Sequence, residues 1–407
     1  MFVSSDQFRK LLTAFIAISA LLFVTYLLFG FFSSNDLEAY AQKAIDACAD
    51  ASYKPSCYDE EIPKFMDELS MEETFAVTRL VQEKSDGYWY CHVLGHNISA
   101  REAAKDPDSW TSVISRCPQG MCSNGCLHGT FQERFREEVL SDEQIEDLIP
   151  EIRTICEDSD DKVFTGLEKA SCYHALGHLT MYITGADIKK STLICDAVSL
   201  RGRSDHRQVC YDGVYMQIFQ PLEPEDIALV QDIAPNTQEE SVSLCNEYEG
   251  KMRASCLSES WPLYKDEIKE AEGIKKLCSL QVGEANQFRC YNALFYVVTP
   301  QLDFNVEDIT ALCNGFSGSR KAQCFGNAAS RMIETDYRLQ NDAVKLCLRA
   351  QEEGHGDGCF KELLLYSTFN FIPDSDAFNR FCAALPEQWG RRCENKEGFQ
   401  VELQGNY

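Results

Sequence analysis

The sequence predicts an all-α protein: an α/α solenoid of about ten disulfide-stapled helical hairpins, preceded by one transmembrane helix. Three observations predict it. One apolar run lies near the N-terminus, the cysteines fall on a fixed period, and helix signals repeat on that same period.

The first element is the anchor. Residues 11–32 form 22 apolar or uncharged residues, long enough to span a bilayer as a helix. The run ends in Phe31-Phe32-Ser33-Ser34, a poor signal-peptidase site, so a retained anchor is expected. Arg9 and Lys10 precede it and Asp36 and Glu38 follow. The positive-inside rule then places residues 1–10 in the cytoplasm and residues 33–400 outside, with a tail at 401–407. The expectation is a single-pass membrane protein whose C-terminal domain is extracytoplasmic.

The 20 cysteines all lie beyond this run. An even cysteine count in an exported segment reads as a disulfide framework. The second cysteine of each pair falls at Cys57, Cys126, Cys172, Cys210, Cys256, Cys290, Cys324, Cys359 and Cys393, with steps of 34, 34, 35 and 34 residues from Cys256 onward. The first cysteines are Cys48, Cys117, Cys156, Cys195, Cys245, Cys278, Cys313, Cys347 and Cys382. Neighbour pairing across short polar linkers is the simplest scheme. Each such bond contributes on the order of 2–4 kcal/mol in the chain-entropy account. Cys91 and Cys122 are left over and are expected to pair with each other; the rival is Cys91 with Cys126 and Cys117 with Cys122.

Each hairpin has the same reading. A helix starts near the second cysteine and carries large apolar residues, as in Cys290-Tyr-Asn-Ala-Leu-Phe-Tyr-Val-Val. A break follows, often at Pro or Gly, such as Pro221, Pro300 or Gly185. A second helix runs to the next first cysteine, as in Gly273-Ile-Lys-Lys-Leu-Cys278. Starts such as Ser141-Asp-Glu-Gln-Ile and Asp303-Phe-Asn-Val-Glu-Asp-Ile carry N-cap residues and first-turn acids. An aromatic residue directly after the cysteine (Tyr58, Tyr173, Tyr211, Tyr291, Phe325, Phe360) reads as core packing.

The layout resembles the Sel1-like helical repeats in their disulfide-stapled, cysteine-rich form. The matching residues are Cys172-Tyr-His-Ala-Leu-Gly-His, Gly185-Ala-Asp-Ile, and the Lys-Leu-Cys helix ends at Cys278 and Cys347. The Leu-Gly signature occurs at Leu94-Gly95 and Leu176-Gly177. The resemblance implies an interaction scaffold, with a protein partner on the solenoid surface, and carries over no catalytic residue.

Five of the 7 histidines fall in three consecutive units, spanning about 75–190. The remaining repeats, about 191–400, are plain, with Ser258, Asn292, Gly326 and Asn395 at the histidine position. On the repeat frame His92, His128 and His174 are equivalent, and so are His96 and His178. Histidines four apart share a helix face, and equivalent positions on stacked helices are neighbours. Gly95 and Gly177 would let the helices approach closely. Imidazole ligates zinc, iron and copper, so the expected cofactor is a transition metal ion. Asp59 and Asp212 sit at the equivalent position in flanking units, and Glu133 follows His128; these are the candidate carboxylate ligands. His206 and His355 lie in polar linkers and read as solvated.

Other chemistries are excluded. A net charge of −26 without a basic block excludes nucleic acid. Cys122-Ser-Asn-Gly-Cys126-Leu-His128 misses the haem-attachment pattern by one residue. There is no phosphate loop, nucleophile elbow or His-Glu-x-x-His motif. Two functions stay open. One is a metal-binding protein, whose metal could serve oxidoreductase or hydrolase chemistry. The other is an interaction scaffold with structural histidines.

Overall fold

In the computed structural model, residues 37–85, 91–118, 121–135, 139–158, 164, 166–201, 204–222, 224–370 and 376–395 are described. The expected anchor at 11–32 and the tail at 401–407 lie outside them. Among the described residues no helix is long and apolar enough to cross a membrane. The chain divides into two compact units, 1–88 and 89–407.

The first unit holds helices at 37–47, Lys54–Glu61 and Met71–Lys84, with a 3-10 turn at Ile62–Asp67. Ser70 starts the last helix with a reciprocal cap: its Oγ accepts from the Glu73 amide at 3.2 Å, and Glu73 Oε2 accepts from the Ser70 amide at 2.8 Å. Two amides that the helix leaves unpaired are thereby satisfied. The Cys48–Cys57 bond seats Tyr58 in the core of this unit.

The second unit is a run of helices packed in chain order. Its longer helices are α1 (His92–Ala103), α2 (Gly125–Phe135), α3 (Gly166–Thr184), α4 (Arg207–Phe219), α5 (Gly250–Glu259), α6 (Glu284–Gln301), α7 (Gly318–Thr335) and α8 (Gly356–Asn370). Each packs on the one before it. Companion helices such as Asp142–Ile155, Ala271–Ser279 and Val306–Asn314 lead into the first cysteine of a pair. The expected caps are present: Ser141 with Gln144, and Asn305 accepting from the Glu307 and Asp308 amides. Several long helices begin earlier than expected, at Gly250, Glu284 and Gly318 rather than at Cys256, Cys290 and Cys324. The polar linkers read as loop carry good helix formers, and they supply the first turns of the next helix.

All twenty cysteines are paired. Nine bonds join neighbours: Cys48–Cys57, Cys117–Cys126, Cys156–Cys172, Cys195–Cys210, Cys245–Cys256, Cys278–Cys290, Cys313–Cys324, Cys347–Cys359 and Cys382–Cys393. The tenth is Cys91–Cys122, and the rival pairing does not form. Of the aromatic residues that follow a cysteine, Tyr173, Tyr211, Phe325 and Phe360 are buried, while Tyr291 is half-buried. The helical reading has one small exception, a two-residue β ladder between Leu200–Arg201 and Ser204–Asp205 in the long Cys195–Cys210 linker.

Candidate metal centre

Helices α1 to α4 bring the histidine units together. His92 and His96 lie one turn apart on α1, His128 lies on α2, and His174 and His178 lie one turn apart on α3. The helices come close because glycine faces backbone at the crossings. A Cβ on Gly213 would stand 2.0 Å from the His174 carbonyl oxygen, and one on Gly129 would stand 2.3 Å from that of His96. Neither helix pair could hold its spacing with alanine there. Gly177 plays the predicted part at the α3–α4 crossing. Gly95 is less tightly confined, its nearest neighbours lying at 3.2 Å, and Gly129 on the facing helix carries that crossing instead.

The five rings form one contiguous group. His128 is central, with ring centroids 4.9 Å from His92, 5.5 Å from His96, 4.9 Å from His178 and 6.2 Å from His174. Within each i,i+4 pair the Nε2 atoms face each other. His92 and His96 are 3.0 Å apart at Nε2, and His174 and His178 are 3.2 Å apart. One nitrogen from each of His92, His96 and His128 falls within 4.8 Å of the other two.

The outward nitrogens are held by oxygen atoms. His92 Nδ1 meets the Cys122 carbonyl at 3.3 Å, His96 Nδ1 meets Gln132 Oε1 at 3.3 Å, and His178 Nδ1 meets Gln217 Oε1 at 2.6 Å. The Val209 backbone carbonyl binds His174. A backbone carbonyl only accepts, so the proton of neutral His92 sits on Nδ1 and its Nε2 presents a lone pair. Carbonyl contacts of this kind orient metal-ligating histidines and set their tautomer. Burial disfavours the charged form of His128, His174 and His178. It pushes His128 well below its usual value, with the neighbouring histidines adding to the effect. His174 is pushed down to about 3 by burial and then by His178, and burial lowers His178 as well. Neutral imidazole is the ligating form.

The group forms one wall of a cavity of about 550 Å³. Phe131, Ala175, Leu179 and Val209 make its sides apolar, and Asp226, Glu259, Trp261, Arg331 and Glu334 lie elsewhere on its lining. Tyr182 donates to Asp226, and the Leu222 amide donates to the same carboxylate at 3.3 Å. Burial, reinforced by the charge of Asp212, holds Glu259 well above the usual carboxylate range. Gln220 Nε2 donates to it at 2.7 Å.

Two of the three carboxylate candidates, Asp212 and Glu133, are not part of this group. Asp212 does not line the cavity; its Oδ2 accepts from Arg289 Nη2 at 2.8 Å. Arg289 is 77 residues away in sequence, so the frame position alone could not foretell its pull. Glu133 also falls outside the cavity lining. Five residues along a helix is a rotation of about 140° from His128, whereas four bring Gln132 onto the His128 face. Asp59 belongs to the 1–88 unit, where burial and Glu60 push its carboxyl up to about 6. His206 is not solvated: it is half-buried and stacks on Tyr173 at 4.5 Å.

Sequence reasoning missed Gln132, Gln217 and Met216. The frame carried a signal for two of them. His178 lies six residues after Cys172, Gln132 six after Cys126, and Met216 six after Cys210. Met216 Sδ stands 3.3 Å from His174 Nε2.

Comparison of the chain with protein-family models, with curated proteins and with solved structures gave no match.

Proposed function

We propose that this chain is a membrane-anchored, extracytoplasmic α-solenoid that binds a transition metal ion at His92, His96 and His128. The observation that carries the reading is the inward convergence of Nε2 atoms, 3.0 Å apart in the His92–His96 pair, behind an outward nitrogen fixed by the Cys122 carbonyl. Two lone pairs aimed at each other repel; a cation between them, or a proton on one, resolves the conflict. Two bonds of about 2.0–2.1 Å at a tetrahedral angle span about 3.3 Å, within a few tenths of the separation present. The ten disulfides support an oxidising compartment, where thiolates are not available as ligands.

The cavity beside the histidines extends the reading to metal-dependent oxidation or hydrolysis of a small organic molecule. Its volume lies within the usual range for ligand pockets. His128, His174 and His178 are only half-buried on its wall, which leaves a bound ion room for a non-protein ligand. Glu259, whose carboxyl burial holds well above its usual range, lines the same cavity.

The test is the metal content of the purified full chain by plasma mass spectrometry, beside a His92→Ala/His174→Ala variant. Stoichiometric metal in the parent that is lost from the folded variant is expected. A parent that stays metal-free after exposure to zinc, iron and copper overturns the reading and leaves the interaction scaffold with structural histidines.

A further inference from the structure

We propose that His174, His178 and Met216 form a second ligand set, one that contains sulfur and takes copper(I). The inference rests on the reading of the histidine group as a metal centre, and it adds a ligand and a metal to it. His174 Nε2 is the shared corner. It lies 3.2 Å from His178 Nε2 and 3.3 Å from Met216 Sδ. Two ligands on one ion at nitrogen and sulfur bond lengths are separated by about 3.3–3.6 Å, so both separations at the His174 corner suit a shared ion within a few tenths of an ångström.

The placement is built in. Met216 occupies on α4 the frame position that His178 occupies on α3, six residues after its cysteine. The Gly177–Gly213 crossing brings the two helices close enough for the sulfur to reach the rings. The next residue, Gln217, is buried and holds His178 Nδ1 at 2.6 Å, turning the Nε2 of His178 toward His174. All three proposed ligands are half-buried and line the cavity, so an ion can reach them.

The donor set selects the metal. Thioether sulfur is a soft ligand that favours copper(I) and adds little for zinc. Every cysteine is oxidised, and Met216 is the one sulfur side chain among the cavity-lining residues. An oxidised domain has no thiolate to offer copper, and a methionine with two imidazoles is the soft site left to it.

The test compares the full-length parent with Met216→Leu, which keeps the side-chain size and removes the sulfur. Copper(I) is supplied anaerobically as its acetonitrile complex with a chromophoric competitor, and zinc(II) in a parallel titration. No thiol reductant is used, so the disulfides persist. The expected result is a loss of copper(I) affinity of about tenfold or more in Met216→Leu with zinc(II) affinity unchanged. X-ray absorption of the copper-loaded parent is expected to show one sulfur in the first coordination sphere, which needs no variant and stands if Met216→Leu fails to fold. Equal effects on both metals, no effect on copper(I), or a nitrogen-only copper shell overturns the second ligand set while leaving the His92–His96–His128 reading in place. A parent that binds neither metal overturns both.

Discussion

Gly213→Ala tests how the fold builds the site. The new Cβ would lie 2.0 Å from the His174 carbonyl oxygen, and real Cβ atoms essentially never come within 3.0 Å of another heavy atom. Helices α3 and α4 must therefore part by about 1 Å, because the obstacle is backbone and has no rotamer to change. Overpacking of this kind costs about 1–3 kcal/mol, and the better helix propensity of alanine returns about 1 kcal/mol. A net loss of up to about 2 kcal/mol is expected. Gly177→Ala, whose Cβ would meet the Cys210 carbonyl at 2.1 Å, acts on the same crossing. Once the helices have parted for one methyl the second fits more easily, so the double variant should cost less than the sum of the singles by about 1 kcal/mol. Gly358→Ala is the control: its Cβ meets only Ala322, at 3.4 Å, and alanine there should be neutral or stabilising. The assay is denaturant unfolding with the disulfides intact, together with copper(I) affinity. Parting α3 from α4 also draws Gln217 and Met216 away from His174 and His178, so copper(I) affinity should fall in Gly213→Ala and hold in Gly358→Ala. Stability in Gly213→Ala equal to that of Gly358→Ala would refute the close-approach argument.

Three further outcomes follow from the same structure. Asp212→Asn should leave metal affinity unchanged and lower stability by about 2 kcal/mol, since it leaves the mostly buried Arg289 without its carboxylate; calorimetric titration and unfolding check the two halves. Glu362 is pushed by burial from its usual 4.5 up to about 7, so it costs stability as pH rises from 4.5 to 7 and nothing below that window. Glu362→Gln should therefore match the parent at pH 4 and exceed it by about 1–2 kcal/mol at pH 8, after allowance for solvent screening, in unfolding curves recorded at both pH values. The Cys91→Ala/Cys122→Ala pair opens a loop of sequence separation 31, against 11 for Cys313→Ala/Cys324→Ala. The chain-entropy account gives about 4 and about 3 kcal/mol respectively. The first pair alone should also weaken metal binding, because the Cys122 carbonyl holds His92.

The fold was largely legible because covalent pairing imposes a period that sequence displays directly. The neighbour bonds follow from spacing, and Cys91–Cys122 follows from the two cysteines that the period leaves over. The histidine group was legible for the same reason: register on a repeat becomes proximity in a stack. What escaped the sequence has a physical cause in each case. Glu133 was chosen for its charge when helix geometry favours Gln132. Asp212 was assigned by register, but an ion pair with a residue 77 positions on decides its role, and no local pattern announces such a contact. Met216 holds the register position of a histidine, but a methionine at helical spacing also suits a core, so its residue type gives no ligand signal by itself. His206 sits in a polar linker, yet it stacks on the aromatic ring beside Cys172.

The most direct measurement is anomalous diffraction at the zinc edge from crystals of the chain equilibrated with zinc. The account predicts a peak within bonding distance of His92 Nε2, His96 Nε2 and a nitrogen of His128, absent from crystals of His92→Ala. Zinc-equilibrated crystals with no peak among the three histidines, and with the His92 and His96 rings still 3.0 Å apart at Nε2, would contradict it.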